Sequence, residues 1–229
     1  MNKAVIFDAY GTLFDVHSIA ALLEQYYPSQ GAALAAAWRD KQIEYTRLVT
    51  TSNGGIHYRP FDALTLAALQ TVCAARAVVL SGEQANALMA QYMTLSAFSD
   101  AASTLAALKS RGIVTGILSN GTPAMLAAAT QSAGLVDALD HVLSVDTLNP
   151  PQYKTALRAY ALGTAATGLA AQDITFVSSN AWDALGAAWF GYRTVWVNRN
   201  HAPWEALGTL THTAPAHTIS QLSELIDII

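Results

Sequence analysis

Polar residues in this chain stand at the ends of apolar runs, which is where an open α/β sheet keeps its chemistry. The first is Asp8, which follows Lys-Ala-Val-Ile-Phe at residues 3–7 and precedes Ala9-Tyr10-Gly11-Thr12. A short apolar run with β-branched residues reads as a buried strand, so Asp8 sits where a reactive carboxylate belongs. Gly11 lets the backbone turn tightly, and Thr12 can return a hydroxyl to the carboxylate. The same residues also fit a simple capping role for Asp8 at a turn. Ser119, Asp146 and Ser178 end three further apolar runs. Ser119-Asn120-Gly121 taken alone is a turn signal, and Asn180 and Asp183 after Ser178 suit the start of a helix.

The elements that must hold these residues fall into two kinds. Residues 15–96 read as helices over 16–26, 31–51, 61–77 and 81–92, with a loop at 50–60 holding Ser52-Asn53-Gly54-Gly55 and Pro60. Ser81 with Gln84 forms a capping-box pattern. From Asp100 the pattern alternates. Asp100 caps a helix to about 111, and a strand at 113–118 precedes a helix opened by Thr122-Pro123. A strand at 141–145, a loop at 146–153 and a helix to about 162 follow. Strands at 173–178 and 194–197, with a helix between them, and a closing helix at 220–228 complete the chain. Such alternation predicts a parallel sheet with right-handed crossovers, hence an α/β fold.

Composition narrows the partners. The 229 residues are 52% hydrophobic and 12% charged, with a net charge of −4. No apolar run approaches the roughly 20 residues of a membrane span, and the start lacks the pattern of a secretory leader. The acidic balance predicts no nucleic-acid or membrane partner. An anionic substrate would need locally placed Arg or Lys. The single cysteine, Cys73, excludes an internal disulfide and suits a reducing cytoplasm.

Phe7-Asp8-Ala9-Tyr10-Gly11-Thr12-Leu13-Phe14-Asp15 resembles the first motif of the haloacid dehalogenase superfamily, and Ala9-Tyr10 resembles its L-2-haloacid dehalogenase branch. Phe176-Val177-Ser178-Ser179-Asn180-Ala181-Trp182-Asp183 is the other specific match. The resemblance covers nearly the whole chain. It implies a Rossmann-like parallel core, residues 1–14 and 98–229, with an inserted helical cap at 15–97. It makes Asp8 the nucleophile and Thr12 its neighbour. Ser119 and Asn120 hold the substrate carboxylate, and Ser178, Asn180 and Asp183 hold Asp8 and handle the hydrolytic water. On the cap helix, Arg39 receives the leaving halide or the substrate carboxylate. Gln42, Ile43, Phe61 and Trp182 join Ala9 and Tyr10 around the substrate. The branch also has a Lys six residues before a Tyr, and Lys154 with Tyr160 keeps that spacing. The proline usual after the Lys is missing, and Asn149-Pro150-Pro151 lengthens the loop before it. Of Lys3, Lys41, Lys109 and Lys154, only Lys154 follows a strand end.

The superfamily's phosphatases carry a second Asp two positions after the nucleophile, to protonate the leaving group. Tyr10 stands there, and a phenol titrating near 10 is a poor acid, whereas a halide needs no proton. Ser178 stands where metal-dependent relatives have a carboxylate. The resemblance therefore implies hydrolysis of short (S)-2-haloalkanoic acids to (R)-2-hydroxy acids through an aspartyl ester, with no metal or cofactor. It leaves room for a homodimer. A magnesium-dependent phosphatase and a non-catalytic binding scaffold are the alternatives.

Overall fold

The computed structural model describes residues 3–229. Met1 and Asn2, which head the expected core segment and enter the leader reading, lie outside it. The chain enters through β1 (Ala4–Phe7) and then leaves the sheet for α1 (His17–Tyr26), α2 (Gly31–Thr51), α3 (Phe61–Ala75) and α4 (Gly82–Gln91). It returns through α5 (Ala101–Ser110), β2 (Val114–Ser119), α6 (Pro123–Ser132), β3 (His141–Ser144) and α7 (Leu157–Thr167). The rest is β4 (Ile174–Ser178), α8 (Ala181–Phe190), β5 (Arg193–Val197), α9 (Ala206–Leu210) and β6 (His217–Ile219).

The six strands form one parallel sheet in the order β3-β2-β1-β4-β5-β6, as the α/β alternation predicts. β1 is central because its four residues are apolar and buried on both faces. Each fully buried Val, Ile or Phe there contributes roughly 1.5–3 kcal/mol. The chain turns left from β1 to β2 and β3, then crosses back to β4 on the other side. That reversal opens a crevice beyond the carboxyl ends of β1 and β4, the favoured ligand position in such sheets.

The segment between β1 and α5 is helical, with no named strand among its residues. Trp38 on α2 is buried and donates its indole N–H to the Thr65 carbonyl on α3 at 2.7 Å. At Gly31 a Cβ would stand 2.3 Å from the Glu24 nitrogen, so glycine is what lets α2 start against α1. Ser81 and Gln84 form the expected capping box, and Thr122 caps α6 with Pro123 in its first turn. Among the described residues no helix is long and apolar enough to cross a membrane.

Three expectations need correction. Asp100 does not cap α5 with its side chain. Its carboxylate instead takes two bonds from Arg199, at 3.0 and 3.1 Å, and the Leu222 N–H at 2.7 Å. The Arg199 fork and the Leu222 amide together draw the carboxylate away from the start of α5. The closing helix is a short 3₁₀ turn over Leu222–Asp227. β6 escapes a periodicity reading because it is a three-residue edge strand containing His217 and Thr218.

Candidate active site

The reversal between β1 and β4 places Asp8 one residue past β1, with its N–H donating to Val177 O on β4 at 2.9 Å. The carboxylate is nearly buried and faces four donors. Lys154 Nζ lies 3.0 Å from Oδ1. Asn180 Nδ2 lies 2.8 Å from Oδ2, with Thr12 Oγ1 at 3.3 Å and Ser178 Oγ at 3.5 Å from the same oxygen. Thr12 also accepts the Ser179 N–H at 2.8 Å, which ties the loop after β1 to the loop after β4. Gly11 makes that approach with φ +87°, where a Cβ would come within 3.2 Å of Ser179 Oγ.

Behind this layer stands Asp183, fully buried on α8. It accepts from Lys154 Nζ at 2.8 Å, from Tyr160 Oη at 2.8 Å and from Ser178 Oγ at 3.2 Å. The one Ser178 proton therefore favours Asp183 over Asp8. Lys154 thus bridges two carboxylates, and its ammonium also sits 5.0 Å from the Phe176 ring centroid. Burial alone would lower the Lys154 pKa, but the Asp183 and Asp8 charges outweigh it, so the ammonium is held charged. Burial pushes Asp183 up to about 6 against the pull of Lys154. Burial likewise keeps Tyr160 protonated, well above the usual phenol range.

The altered loop has not displaced Lys154. Its N–H donates to Asn120 Oδ1 at 3.0 Å, which anchors the loop to the end of β2. Ser119 accepts the Gly121 N–H at 3.1 Å, and its hydroxyl proton has no acceptor among the described residues.

Two openings reach this cluster through Asn180, and neither is lined by Asp8, Ser119, Asn120 or Lys154. An inner cavity of about 210 Å³ is walled by Tyr10, Trp38, Arg39, Tyr92 and Asn180, among others. An outer cleft of about 660 Å³ runs past Arg39, Ile43, Arg47, Asn180, Trp182 and Leu185. The outer cleft is the larger of the two. The smaller suits a substrate of a few heavy atoms. Arg39 and Asn180 border both.

Arg39 Nη1 donates to Gln42 Oε1 at 2.5 Å, and Gln42 Nε2 donates to Thr65 Oγ1 at 2.6 Å. Gln42 is buried and orients the guanidinium from behind. Phe61 lines neither opening. It stacks on Tyr10 with ring centroids 6.1 Å apart, one layer behind the wall. Ala9 is fully buried, and its carbonyl accepts the N–H groups of Thr12, Leu13 and Phe14. The Tyr10 hydroxyl is buried with no hydrogen-bond partner among the described residues, and burial drives its pKa upward.

Trp38, Tyr92 and Ser179 were not singled out from the sequence. Ser179 was legible through its place between Ser178 and Asn180. The two aromatic residues carried only a helix-core pattern, which does not distinguish a cavity wall from a packed interior.

Known proteins match this arrangement along the whole chain. An (S)-2-haloacid dehalogenase of Pseudomonas sp. (strain YL) is 42% identical over 206 residues, covering 90% of this chain and 87% of that protein. The crystal structure of an L-2-haloacid dehalogenase superposes with a TM-score of 0.94 at 46% identity, over 99% of this chain and 98% of that one. The L-2-haloacid dehalogenase from Xanthobacter autotrophicus, solved with chloropropionic acid covalently bound, gives 0.85 at 33% identity over 100% and 98% of the two chains. A family model for haloacid dehalogenase-like hydrolases matches residues 2–191, and the chain belongs to that family.

Proposed function

We propose that this chain hydrolyses short (S)-2-haloalkanoic acids to (R)-2-hydroxy acids through an ester on Asp8. The observation that carries the reading is Asp8 itself, a nearly buried acceptor for Lys154, Asn180 and Thr12, with Asn180 also bordering a small cavity beside Arg39. Its carboxylate attacks C2 and forms a C–O bond as the C–X bond breaks, and the electron pair leaves with the halide. Arg39 and Asn180 stabilise the charge growing on the halide. The free Ser119 proton and the Asn120 region hold the substrate carboxylate. Ile43 and Trp182 flank the outer cleft, and Tyr10 packs against the alkyl group with Phe61 and Ala9 behind it.

Water then attacks the ester carbonyl of Asp8, which restores the carboxylate and releases the hydroxy acid. Asp183, titrating at about 6, is matched to take the water proton near neutral pH. Lys154 and Ser178 hold Asp183 beside the ester. Tyr160 fixes the far oxygen of Asp183, and Thr12 keeps the two loops in register.

The donor set does not fit a divalent cation. The Lys154 ammonium already bridges Asp8 and Asp183, and a hydroxyl and a phenol stand at Ser178 and Tyr10 where further acidic groups would be needed. The reaction as read here uses no metal and no cofactor. It also has no carboxylic acid aimed at a leaving group, as phosphate transfer would want. In the same reading residues 15–97 act as a cap over a core of 1–14 and 98–229, in a cytoplasmic enzyme.

A single turnover in oxygen-18 water with enzyme in excess tests the ester. The label should enter Asp8 first. Label appearing directly in the hydroxy acid would mean that water attacks C2, and the proposal would fall.

A further inference from the structure

Among the contacts that join the helical segment to the core, two bear on Lys154. At the first, its two ends leave the sheet together: Phe14 bridges Ala97, the Asp15 N–H donates to Ser96 O at 2.8 Å, and the Phe98 N–H donates to Leu13 O at 2.9 Å. The second place is the loop between β3 and α7, where the sequence departs from the family pattern. There Tyr58, from the stretch between α2 and α3, lays its ring on Tyr153 with centroids 5.0 Å apart and an interplanar angle of 25°. Its hydroxyl donates to Asp146 Oδ1 at 2.6 Å. Tyr153 answers in the other direction. Its hydroxyl donates to the Arg59 carbonyl at 2.6 Å, and its N–H donates to Thr50 Oγ1 at 3.1 Å. The Pro151 carbonyl lies 3.5 Å from where a Cβ on Gly55 would be.

Tyr153 is fully buried, and the next residue is Lys154. The backbone of this dipeptide is therefore held from one side by Thr50 and Arg59 of the helical segment. From the other side it is held by Asn120 of the core. The Lys154 side chain then spans 3.0 Å to Asp8 and 2.8 Å to Asp183. Asp183 is bonded by Tyr160 and Ser178 and stays with the core whatever the helical segment does. A displaced loop would leave the ammonium on Asp183 and lengthen its contact with Asp8.

We infer that Tyr58 and Tyr153 are positioning residues for Lys154, through which the seated helical segment sets the Lys154–Asp8 contact. The inference rests on the reading of Lys154 as the cation partner of Asp8. Neither tyrosine touches the reacting atoms. When the segment lifts, the bonds of Tyr153 to Thr50 and Arg59 break together with that of Tyr58 to Asp146. The Lys154 N–H is then held by Asn120, with Arg158 on the carbonyls of Asn149 and Pro150. Arg39 rides on the same segment, so the halide acceptor and the full activation of Asp8 arrive in one movement.

Tyr58→Phe and Tyr153→Phe each remove one oxygen and keep the ring. With 2-chloropropionate, kcat for Tyr58→Phe should fall about tenfold, the size expected for one hydrogen bond to a charged acceptor. Tyr153→Phe, whose acceptor is a neutral carbonyl, should fall by about three- to tenfold. KM should stay within about twofold in both, because the substrate contacts remain. A purely structural role would lower the melting temperature without this split between kcat and KM. The decisive measurement adds Tyr58→Phe to Lys154→Ala and reads bromide release from 2-bromopropionate. An effect transmitted through Lys154 leaves no further loss in the double variant, since coupled residues are not additive. Multiplying losses, or an unchanged kcat in both single variants, would overturn the inference. Asp146→Asn keeps an acceptor for Tyr58 and should retain kcat within about threefold; a Tyr58→Phe-sized loss there would count against it too. Wild-type enzyme that releases no halide would sink the functional reading instead.

Discussion

Replacing Lys154 with alanine removes a charge from between two carboxylates, and the geometry sets the size of the effect. The Lys154 side chain is 1% exposed, and its ammonium lies 3.0 Å from Asp8 and 2.8 Å from Asp183. At an effective dielectric of about 20, each contact amounts to roughly 5 kcal/mol of attraction before desolvation is counted. Breaking a buried pair by deleting one partner costs about 3–5 kcal/mol. The variant has a cheaper route, which is to bind a proton. Lys154 pulls the Asp183 pKa down towards about 6, so without it Asp183 moves higher. A protonated carboxyl then shares the site with Asp8 at neutral pH. The acid limb of kcat/KM for 2-chloropropionate, expected near pH 6 in the wild type, should move up, and the rate at neutral pH should fall by about 10²–10³. Raising the pH should restore part of the loss. The sign is fixed: proton release on the raised-pKa group is what regains activity. Halide release measured across the pH range in both enzymes is the assay. An acid limb that stays in place, with an unchanged rate, would refute the argument and leave Lys154 a bystander.

Other predictions follow from the same geometry. Activity on 2-chloropropionate should survive exhaustive treatment with EDTA, because Lys154 occupies the place between Asp8 and Asp183; loss with EDTA and recovery with magnesium would contradict this. One displacement at C2 followed by attack at the Asp8 carbonyl inverts the centre once, so chiral chromatography should find the D-2-hydroxy acid from the L substrate and no retained product. Gly186→Ala should cost roughly 1–3 kcal/mol of stability in urea unfolding, since its Cβ would stand 2.7 Å from both Thr155 Cγ2 and Tyr160 Oη. Activity should fall with it, because Tyr160 supports Asp183; a fully stable, fully active variant would show that the helix can shift.

The sequence made the chemistry more legible than its walls. Asp8, Ser119 and Ser178 stood out because each ends a mostly apolar run, and a parallel sheet buried on both faces keeps most of its polar groups at the strand ends. Lys154 was found through the family resemblance, whose Lys-to-Tyr spacing it keeps with Tyr160, and the longer loop before it cost little because closure entropy grows slowly with length. What escaped notice depends on contacts between distant segments. Trp38 and Tyr92 wall the inner cavity from helices that meet only in the fold. Phe61 carried the same apolar pattern and stands one layer behind them. Asp100 has the residue type of a helix cap, but Arg199, far along the chain, takes its carboxylate. The bond from Tyr58 to Asp146 joins residues with no local pattern to announce it.

The central position of β1 has a consequence for how the enzyme comes into being. Ala4 lies against Val114 on one side and Ile174 on the other, so β1 waits for partners synthesised much later. Pairings of such large sequence separation form slowly. The helices between α1 and α4 contact near neighbours and can gather while β1 is still unpaired. A chain halted before β4 would carry Asp8 on a strand with one edge open, without Ser178, Asn180 or Asp183. Such a fragment would be inert towards substrate and, with an apolar edge uncovered, prone to associate. Asp8 is made before Lys154, Ser178, Asn180 and Asp183, and it gains the groups that surround it only when those residues are in place.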